Sequence, residues 1–195
     1  MKCAWQAYLR LLPLWMRDDV DRLGKESLQE VRLRVDRPPE IVLRDQFRYL
    51  ERCTSTDDLK YCINAASQYS PWASATIANG FITAQGGHRI GICGTVAIVN
   101  GKLTTVSEIT SLCIRVARDI DGLAERASEL PGSLLIIGRP GSGKTTLLRD
   151  LARQKANRGN GAVAVVDERQ ELFPAVNGIF SFPTGDKLAV LSGCN

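Results

Sequence analysis

Leu134-Leu135-Ile136-Ile137-Gly138-Arg139-Pro140-Gly141-Ser142-Gly143-Lys144-Thr145-Thr146-Leu147-Leu148 is the stretch on which the reading of this chain turns. Its centre, residues 138–145, fits the spacing Gly-x-x-x-x-Gly-Lys-[Ser/Thr] without a departure. Glycines at these positions let a backbone wrap closely around a phosphate chain, turning successive N–H groups inward as an anion-binding nest. A helix opening near Lys144 adds the positive end of its dipole. Lys144 would then reach the β- and γ-phosphates, the Thr145 hydroxyl would ligate Mg²⁺, and Thr146 would stand next to the α-phosphate. Chance produces the pattern in roughly one in a hundred chains of this length, so the flanking sequence has to supply a strand before it and a helix after it. Gly138, Arg139, Pro140, Gly141, Ser142, Gly143, Lys144, Thr145 and Thr146 are thus the expected binding residues for ATP, with Thr145 on Mg²⁺.

The flanks agree. Residues 134–137 are a short continuous apolar run, which predicts a strand buried on both faces. Leu147, Leu148, Leu151 and Ala152 follow at helical spacing, and residues 157–161 end that helix. Residues 162–166 form a second continuous apolar run. Strand, loop, helix and strand make a βαβ unit, whose parallel pair is expected to have a right-handed crossover. Asp167 and Glu168 end the second strand and Glu171 follows, at a position where ligand chemistry collects in parallel α/β folds. Either these acids hold Mg²⁺ indirectly or orient a water, or they are solvated charges closing a strand. Upstream, Asp119 is expected to cap a helix carrying Ile120, Leu123, Ala124, Ala127 and Leu130 on one face, ended by Pro131-Gly132.

The first 118 residues read differently, as a small α+β domain with an antiparallel meander. An apolar helix (Trp5, Tyr8, Leu9, Leu12) breaks near Pro13. Val31, Leu33 and Val35 alternate with Arg32 and Arg34, predicting a half-buried strand, and Ile41 and Leu43 open another after Arg37-Pro38-Pro39. Residues 54–58 offer N-cap chemistry for a helix carrying Leu59, Cys62, Ile63 and Ala66. A second short helix is expected over 71–79. Strands follow at 81–85 and 88–99, and Asn100-Gly101 marks a hairpin into 102–106. A further strand is expected around Leu112, Ile114 and Val116. His88, the one histidine, sits beside Gly86-Gly87, where packing of the turn competes with a catalytic role.

Composition excludes several classes. The chain has 195 residues, 44% hydrophobic and 24% charged, with a net charge of +4 and no run of like charge. That balance and 6% aromatic content do not suit a single-strand nucleic-acid motor, which combines a basic groove with stacking aromatics. Six cysteines without a Cys-x-x-Cys spacing read as packed, reduced thiols rather than disulfides or a zinc site. Gln6, Arg10 and Pro13 interrupt the N-terminal apolar stretch, so neither a secretory signal nor a membrane span is expected, and the chain is expected to be cytoplasmic.

Four blocks together carry a resemblance: residues 86–94 (Gly-Gly-His-Arg-Ile-Gly-Ile-Cys-Gly), 114–119 (Ile-Arg-Val-Ala-Arg-Asp), 138–153 and 165–169 (Val-Val-Asp-Glu-Arg). In this order the chain resembles the stage III sporulation AA family of endospore-forming bacteria, over most of its length. That family is similar to the secretion ATPases of type II and type IV systems. The resemblance implies an α/β fold in which a small N-terminal α+β domain, residues 1–118, precedes the first part of a RecA-like P-loop ATPase core, residues 119–195. It also implies a cytoplasmic homo-oligomer, a hexamer by family likeness. Such an assembly would work at the membrane through embedded channel proteins of the sporulation apparatus, powering or assembling the channel between mother cell and forespore. By the same likeness, Asp167 and Glu168 fall at an acidic box near the nucleotide, and Arg89, Arg115 and Arg118 are positions from which the N-terminal domain would bring arginines over the phosphates. For Arg115 a surface salt bridge is the competing reading. Family members continue beyond Asn195, where the strand with their Walker B carboxylate lies. The chain is therefore expected to be a fragment or an interrupted reading frame, and a nucleotide-dependent scaffold with little hydrolysis is the alternative to an ATPase.

Overall fold

The computed structural model describes residues 1–68, 80–99, 102–139, 141–159, 161–176 and 178–193, with the side chains of 99, 102–105 and 107 outside the description. It divides into two units, Cys3–Ala117 and Arg118–Asn195 together with Met1–Lys2. The expected helix over 71–79 and the Asn100-Gly101 turn lie outside the described residues.

The N-terminal unit begins with α1 (Trp5–Arg10) and α2 (Leu14–Ser27). Pro13 separates them and stands at the N-cap of α2, where its missing N–H is no loss. Three strands follow, β1 (Leu28–Arg34), β2 (Glu40–Leu43) and β3 (Phe47–Tyr49), then α3 (Thr56–Ala66). Ser55 caps α3: its hydroxyl accepts the Asp58 N–H at 3.1 Å, and the Asp58 carboxylate accepts the Ser55 N–H at 2.8 Å. β4 (Phe81–Thr83), a 3₁₀ turn at Gln85–Gly87, β5 (Arg89–Val99) and β6 (Lys102–Arg115) complete the unit. The six strands form one antiparallel sheet in the order β3-β2-β1-β6-β5-β4. It is two meanders of three joined edge to edge by β1 and β6, rather than one continuous meander. The two strands expected at 102–106 and around 112–116 are a single strand, β6, with a kink at Glu108, whose φ is 45°.

The period-2 pattern decides which face is buried. Ile41, Val31, Ile114, Ile90 and Ile82 are register neighbours across five strands, and all are buried. They pack against Tyr8, Leu12, Met16 and Val20 of the first helices and Leu59 and Cys62 of α3. Each such side chain contributes about 1.5–3 kcal/mol by leaving water. The described cysteines are free thiols, and burial, with Asp58 nearby, pushes the Cys62 thiol up to about 12.

The C-terminal unit contains α4 (Glu125–Ser128), α5 (Lys144–Arg158), β7 (Val163–Asp167), β8 (Ala175–Val176), β9 (Ile179–Phe180) and β10 (Leu188–Ser192). β7 and β10 run parallel, and β8 and β9 form a small antiparallel pair. Several expectations are corrected here. The helix expected over 119–130 is reduced to the four residues of α4, because Gly122 takes a φ of 81° and Asp119 is drawn into ion pairs instead of capping. Residues 134–137 form no strand and pair with no described strand, and Leu135 and Ile137 are 84% and 83% exposed. The parallel partner of β7 is therefore β10, not the run before the phosphate loop. β7 itself buries Val165 and Asp167 and exposes Ala164 and Val166, so it is covered on one face rather than both. Among the described residues, no helix is long and apolar enough to cross a membrane.

Candidate functional site

The glycine-rich loop delivers its residues to the start of α5. Gly141 and Gly143 have φ values of 75° and 88°, a region that side chains other than glycine's enter only with strain. Gly143 is the N-cap of α5 and offers no side-chain cap, so the first N–H groups of the helix face outward without an internal acceptor from that position. Gly138 is needed for a different reason: a Cβ there would stand 2.7 Å from the Ser142 hydroxyl. Lys144 folds over the loop, its Nζ donating to the carbonyls of Gly138 at 3.0 Å and Arg139 at 2.8 Å. Thr145 and Thr146 follow half-buried on the first turn, and Gly138, Arg139, Gly141, Ser142 and Gly143 are exposed. Pro140 lies outside the described residues. The glycine-rich loop thus brings one ammonium, held on its own carbonyls, and the Thr145 and Thr146 hydroxyls to the start of one helix. Among the described residues no three His, Cys, Asp or Glu groups cluster as a metal site of their own.

The helix behind the loop departs from expectation. Leu147, Leu148, Leu151 and Ala152 were to be its inward face, yet Leu148 is exposed and the buried positions include Arg149, Asp150, Arg153 and Gln154. Asp150 accepts the Ala124 N–H at 2.7 Å, Arg153 Nη2 at 2.5 Å and Gln154 Nε2 at 2.8 Å. Arg153 also donates to Asp119 at 2.7 Å. Burial pushes the Asp150 carboxyl up, but these three donors and the Arg153 charge outweigh it and hold the group below the usual carboxylate range. Burial pulls the Arg149 guanidinium down from the usual arginine value, with Asp119 and Asp167 opposing and Arg153 assisting that shift. Asp119 Oδ1, Arg153 Nε and Gln154 Oε1 are buried without hydrogen-bond partners. Sequence reading missed this network. Its signal was the spacing of Asp150 to Arg153 and Gln154, three and four residues apart on one helix face.

The two acids at the end of β7, Asp167 and Glu168, differ in their surroundings. Asp167 is 4% exposed, and its carboxylate accepts the N–H groups of Glu171 at 2.8 Å and of Leu172 and Phe173 at 2.9 Å each. Glu168, the next residue, is exposed.

Arg89 and Arg115 are brought together in the N-terminal unit. They are register partners on β5 and β6, and Glu30 on β1 is the next neighbour of Arg115. Arg115 Nε donates to Glu30 at 3.1 Å while its side chain stays 67% exposed, and Arg89 lies 3.8 Å over the ring of Phe81. Two like charges side by side on a sheet repel; the carboxylate and the ring offset this. Arg118 is the first residue after that unit, and its carbonyl accepts from Arg149 at 2.9 Å. His88 is a packing residue. It is fully buried, accepts the Ala117 N–H on Nδ1 at 3.0 Å, and therefore donates from Nε2 to the Ala4 carbonyl at 3.0 Å.

The chain is similar to stage III sporulation protein AA of Bacillus subtilis (strain 168), 35% identical across 94% of this chain and 64% of that protein. An uncharacterized protein, ycf45 of Porphyra purpurea, is 27% identical across 84% of this chain and 27% of its own length. The chain thus spans less than two thirds of either relative. Among solved structures, the pilus retraction motor PilT with bound ADP is similar at a TM-score of 0.52 and 17% identity, over 90% of this chain and 50% of that one. This last likeness is one of fold alone, a mixed α/β chain containing part of a RecA-like core. The family described as sporulation stage III, protein AA matches residues 6–195, and with the 35% identity to its Bacillus subtilis member the chain belongs to that family.

Proposed function

We propose that this chain binds Mg·ATP at residues 138–146 and is the nucleotide-binding part of a secretion-type ATPase acting in sporulation. The observation that carries the reading is the loop itself. Two left-handed glycines precede a helix with no side-chain cap, and Lys144 Nζ lies across the loop carbonyls at 2.8 and 3.0 Å. In this reading Thr145 ligates Mg²⁺, and residues 1–118 and 119–195 divide the work between a small accessory domain and the ATPase core. The whole protein would be a cytoplasmic homo-hexamer that powers or assembles a channel through membrane-embedded partners. Calorimetric titration of residues 1–195 with Mg·ATP tests the core of it: saturable binding with one site per chain supports the assignment, and no heat beyond dilution overturns it.

A second reading, a nucleotide-dependent scaffold with little turnover by this chain, is favoured by one observation. The Asp167 carboxylate is committed to three loop N–H groups, leaving Glu168 and Glu171 as the exposed acids that follow β7 directly. Hydrolysis at a phosphate loop needs a carboxylate for the metal and a group that orients water. Residues 1–195 are therefore expected to bind Mg·ATP and release phosphate at a rate near background. Robust, Lys144-dependent release would return Asp167 and Glu168 to a direct role.

Arg115, with Arg89 beside it, is the cation we assign to the γ-phosphate. A guanidinium stays charged and forks onto phosphate oxygens, and Glu30 fixes this one through Nε alone. In the longer protein, Arg115→Ala is expected to lower turnover by about tenfold or more with little change in ATP affinity, since the contact matters as charge develops in the transition state. Normal turnover together with a lower melting temperature would make Arg115 a sheet residue paired to Glu30 and nothing else.

A further inference from the structure

Arg149 stands five residues along α5 from Lys144, about one and a half helical turns. Nε donates to the Leu172 carbonyl, Nη2 to Glu171 O at 2.8 Å, and Nη1 to Arg118 O at 2.9 Å. From the other side, Asp167 accepts the N–H groups of Glu171, Leu172 and Phe173. Between them, one guanidinium and one carboxylate hold both polar groups of peptides 171 and 172 and the N–H of 173. A loop facing water would satisfy those groups with solvent. Here two charged side chains, 5% and 4% exposed, are committed to the task.

The arrangement has a direction. Arg149 belongs to the helix that begins at the phosphate loop, whereas the peptides it grips belong to the loop that begins at Glu168. The guanidinium also lies 4.1 Å over the ring of Phe182, which fixes its plane. A further acceptor stands close: Asp119 Oδ1, on a residue 1% exposed, accepts no hydrogen bond and lies 3.9 Å from Nη1. A buried acceptor without a donor asks for a reason. This one stands within about an ångström of bonding distance of Nη1, the nitrogen that holds the Arg118 carbonyl, so the guanidinium has a second buried acceptor on the side away from Glu171 and Leu172.

We propose that Arg149 is a positioning residue that couples the phosphate-loop helix to the acidic loop at 168–173, so that occupancy of the phosphate loop controls how firmly Glu168 and its neighbours are held. The inference rests on the nucleotide-binding reading above. Its physical content is linkage. If opening of peptides 171–173 requires Arg149 to let go, and Arg149 moves with α5, then a ligand that fixes the start of α5 suppresses that opening.

Amide hydrogen exchange with and without Mg·ATP, resolved by residue, tests this in residues 1–195. With ATP at ten times its Kd, protection is expected to rise about tenfold at Leu147, on the first turn of α5, and also at Glu171, Leu172 and Phe173. In Arg149→Lys, whose single ammonium cannot span the three carbonyls, the rise should persist at Leu147 and vanish at 171–173. A merely structural arginine would lower protection throughout but leave the ATP-dependent rise in place, and that result would overturn the proposal. So would a wild-type chain in which Leu147 responds and 171–173 do not. If neither region of the wild type responds, the nucleotide-binding reading fails and this inference falls with it. Should Arg149→Lys not fold, Phe182→Leu decides on the same criterion. It removes the ring under the guanidinium and keeps the charge, so the rise at 171–173 should fall by more than about half while Leu147 keeps its own; an undiminished rise overturns the coupling.

Discussion

Replacing Lys144 with alanine is expected to weaken Mg·ATP binding by at least about tenfold, on the order of 1.4 kcal/mol. Among the described residues, the ammonium is the side-chain cation held against the loop carbonyls, at Gly138 and Arg139. A triphosphate brings several negative charges to the same place, and backbone amides alone carry only partial charges to meet them. Stability should hardly change. Gly138 and Arg139 are exposed, so water takes over the two carbonyls that Lys144 releases. The comparison is between titrations of wild type and Lys144→Ala, with melting curves as the control. Equal affinity in the two chains would sink the nucleotide assignment, and a large loss of melting temperature would mean that the variant reports on folding instead.

The conformation of the glycine-rich loop was legible because it is local. Glycine at 141 and 143 answers positive φ values, and lysine at 144 and threonine at 145 are the residues that the proposed phosphate site asks for, all within eight consecutive residues. The alternation of Val31, Leu33 and Arg32 was legible for a similar reason, since a strand with one buried face writes its period into the sequence. Pairing is not written that way. Residues 134–137 and 188–191 are equally apolar runs, and nothing in either says which will lie beside β7. The chain pairs β7 with β10 and leaves Leu135 and Ile137 exposed. The helix after the loop misled for the opposite reason. Its leucines invite an apolar face, while the buried side chains that organise it are Arg149, Asp150 and Arg153, whose partners Asp119 and Leu172 are remote in sequence. Charged residues are ordinarily solvated, so a reading by hydrophobic periodicity assigns them to the outside. Only the three- and four-residue spacing from Asp150 hinted otherwise.

That misread carboxylate is where the largest loss of stability is expected. Asp150→Ala should destabilise the C-terminal unit by about 3–5 kcal/mol at neutral pH. The side chain is fully buried and accepts from the Ala124 N–H, the Arg153 guanidinium and the Gln154 amide. Removing it takes the acceptor from the Ala124 N–H and the Gln154 amide, leaves Arg153 Nη2 with the longer contact to the Ile120 carbonyl at 3.3 Å, and leaves Arg153 with Asp119 as its close buried counter-charge. Asp150→Asn keeps the volume and one acceptor but loses the charge, so it should fall between wild type and alanine. The pH dependence follows from the sign of the shift. The carboxyl is held below its ordinary value in the folded chain, so its contribution is fully present above the unfolded value, about 3.9. It is lost as pH falls through that value toward the folded one. The gap between wild type and Asp150→Asn should therefore be widest near pH 7 and narrow below about pH 4. Urea denaturation can follow the two units separately, because the tryptophans stand at positions 5, 15 and 72 of the sequence, none of them in Arg118–Asn195, and Trp5 and Trp15 lie in the N-terminal unit. Methyl signals of Leu151 and Val165 report the other. The methyl signals should shift strongly to lower urea in the variant, and tryptophan fluorescence much less. A gap under about 1 kcal/mol at pH 7, the range of an exposed ion pair, would show that the Asp150 network adds little and that the apolar residues of α5 hold the unit together.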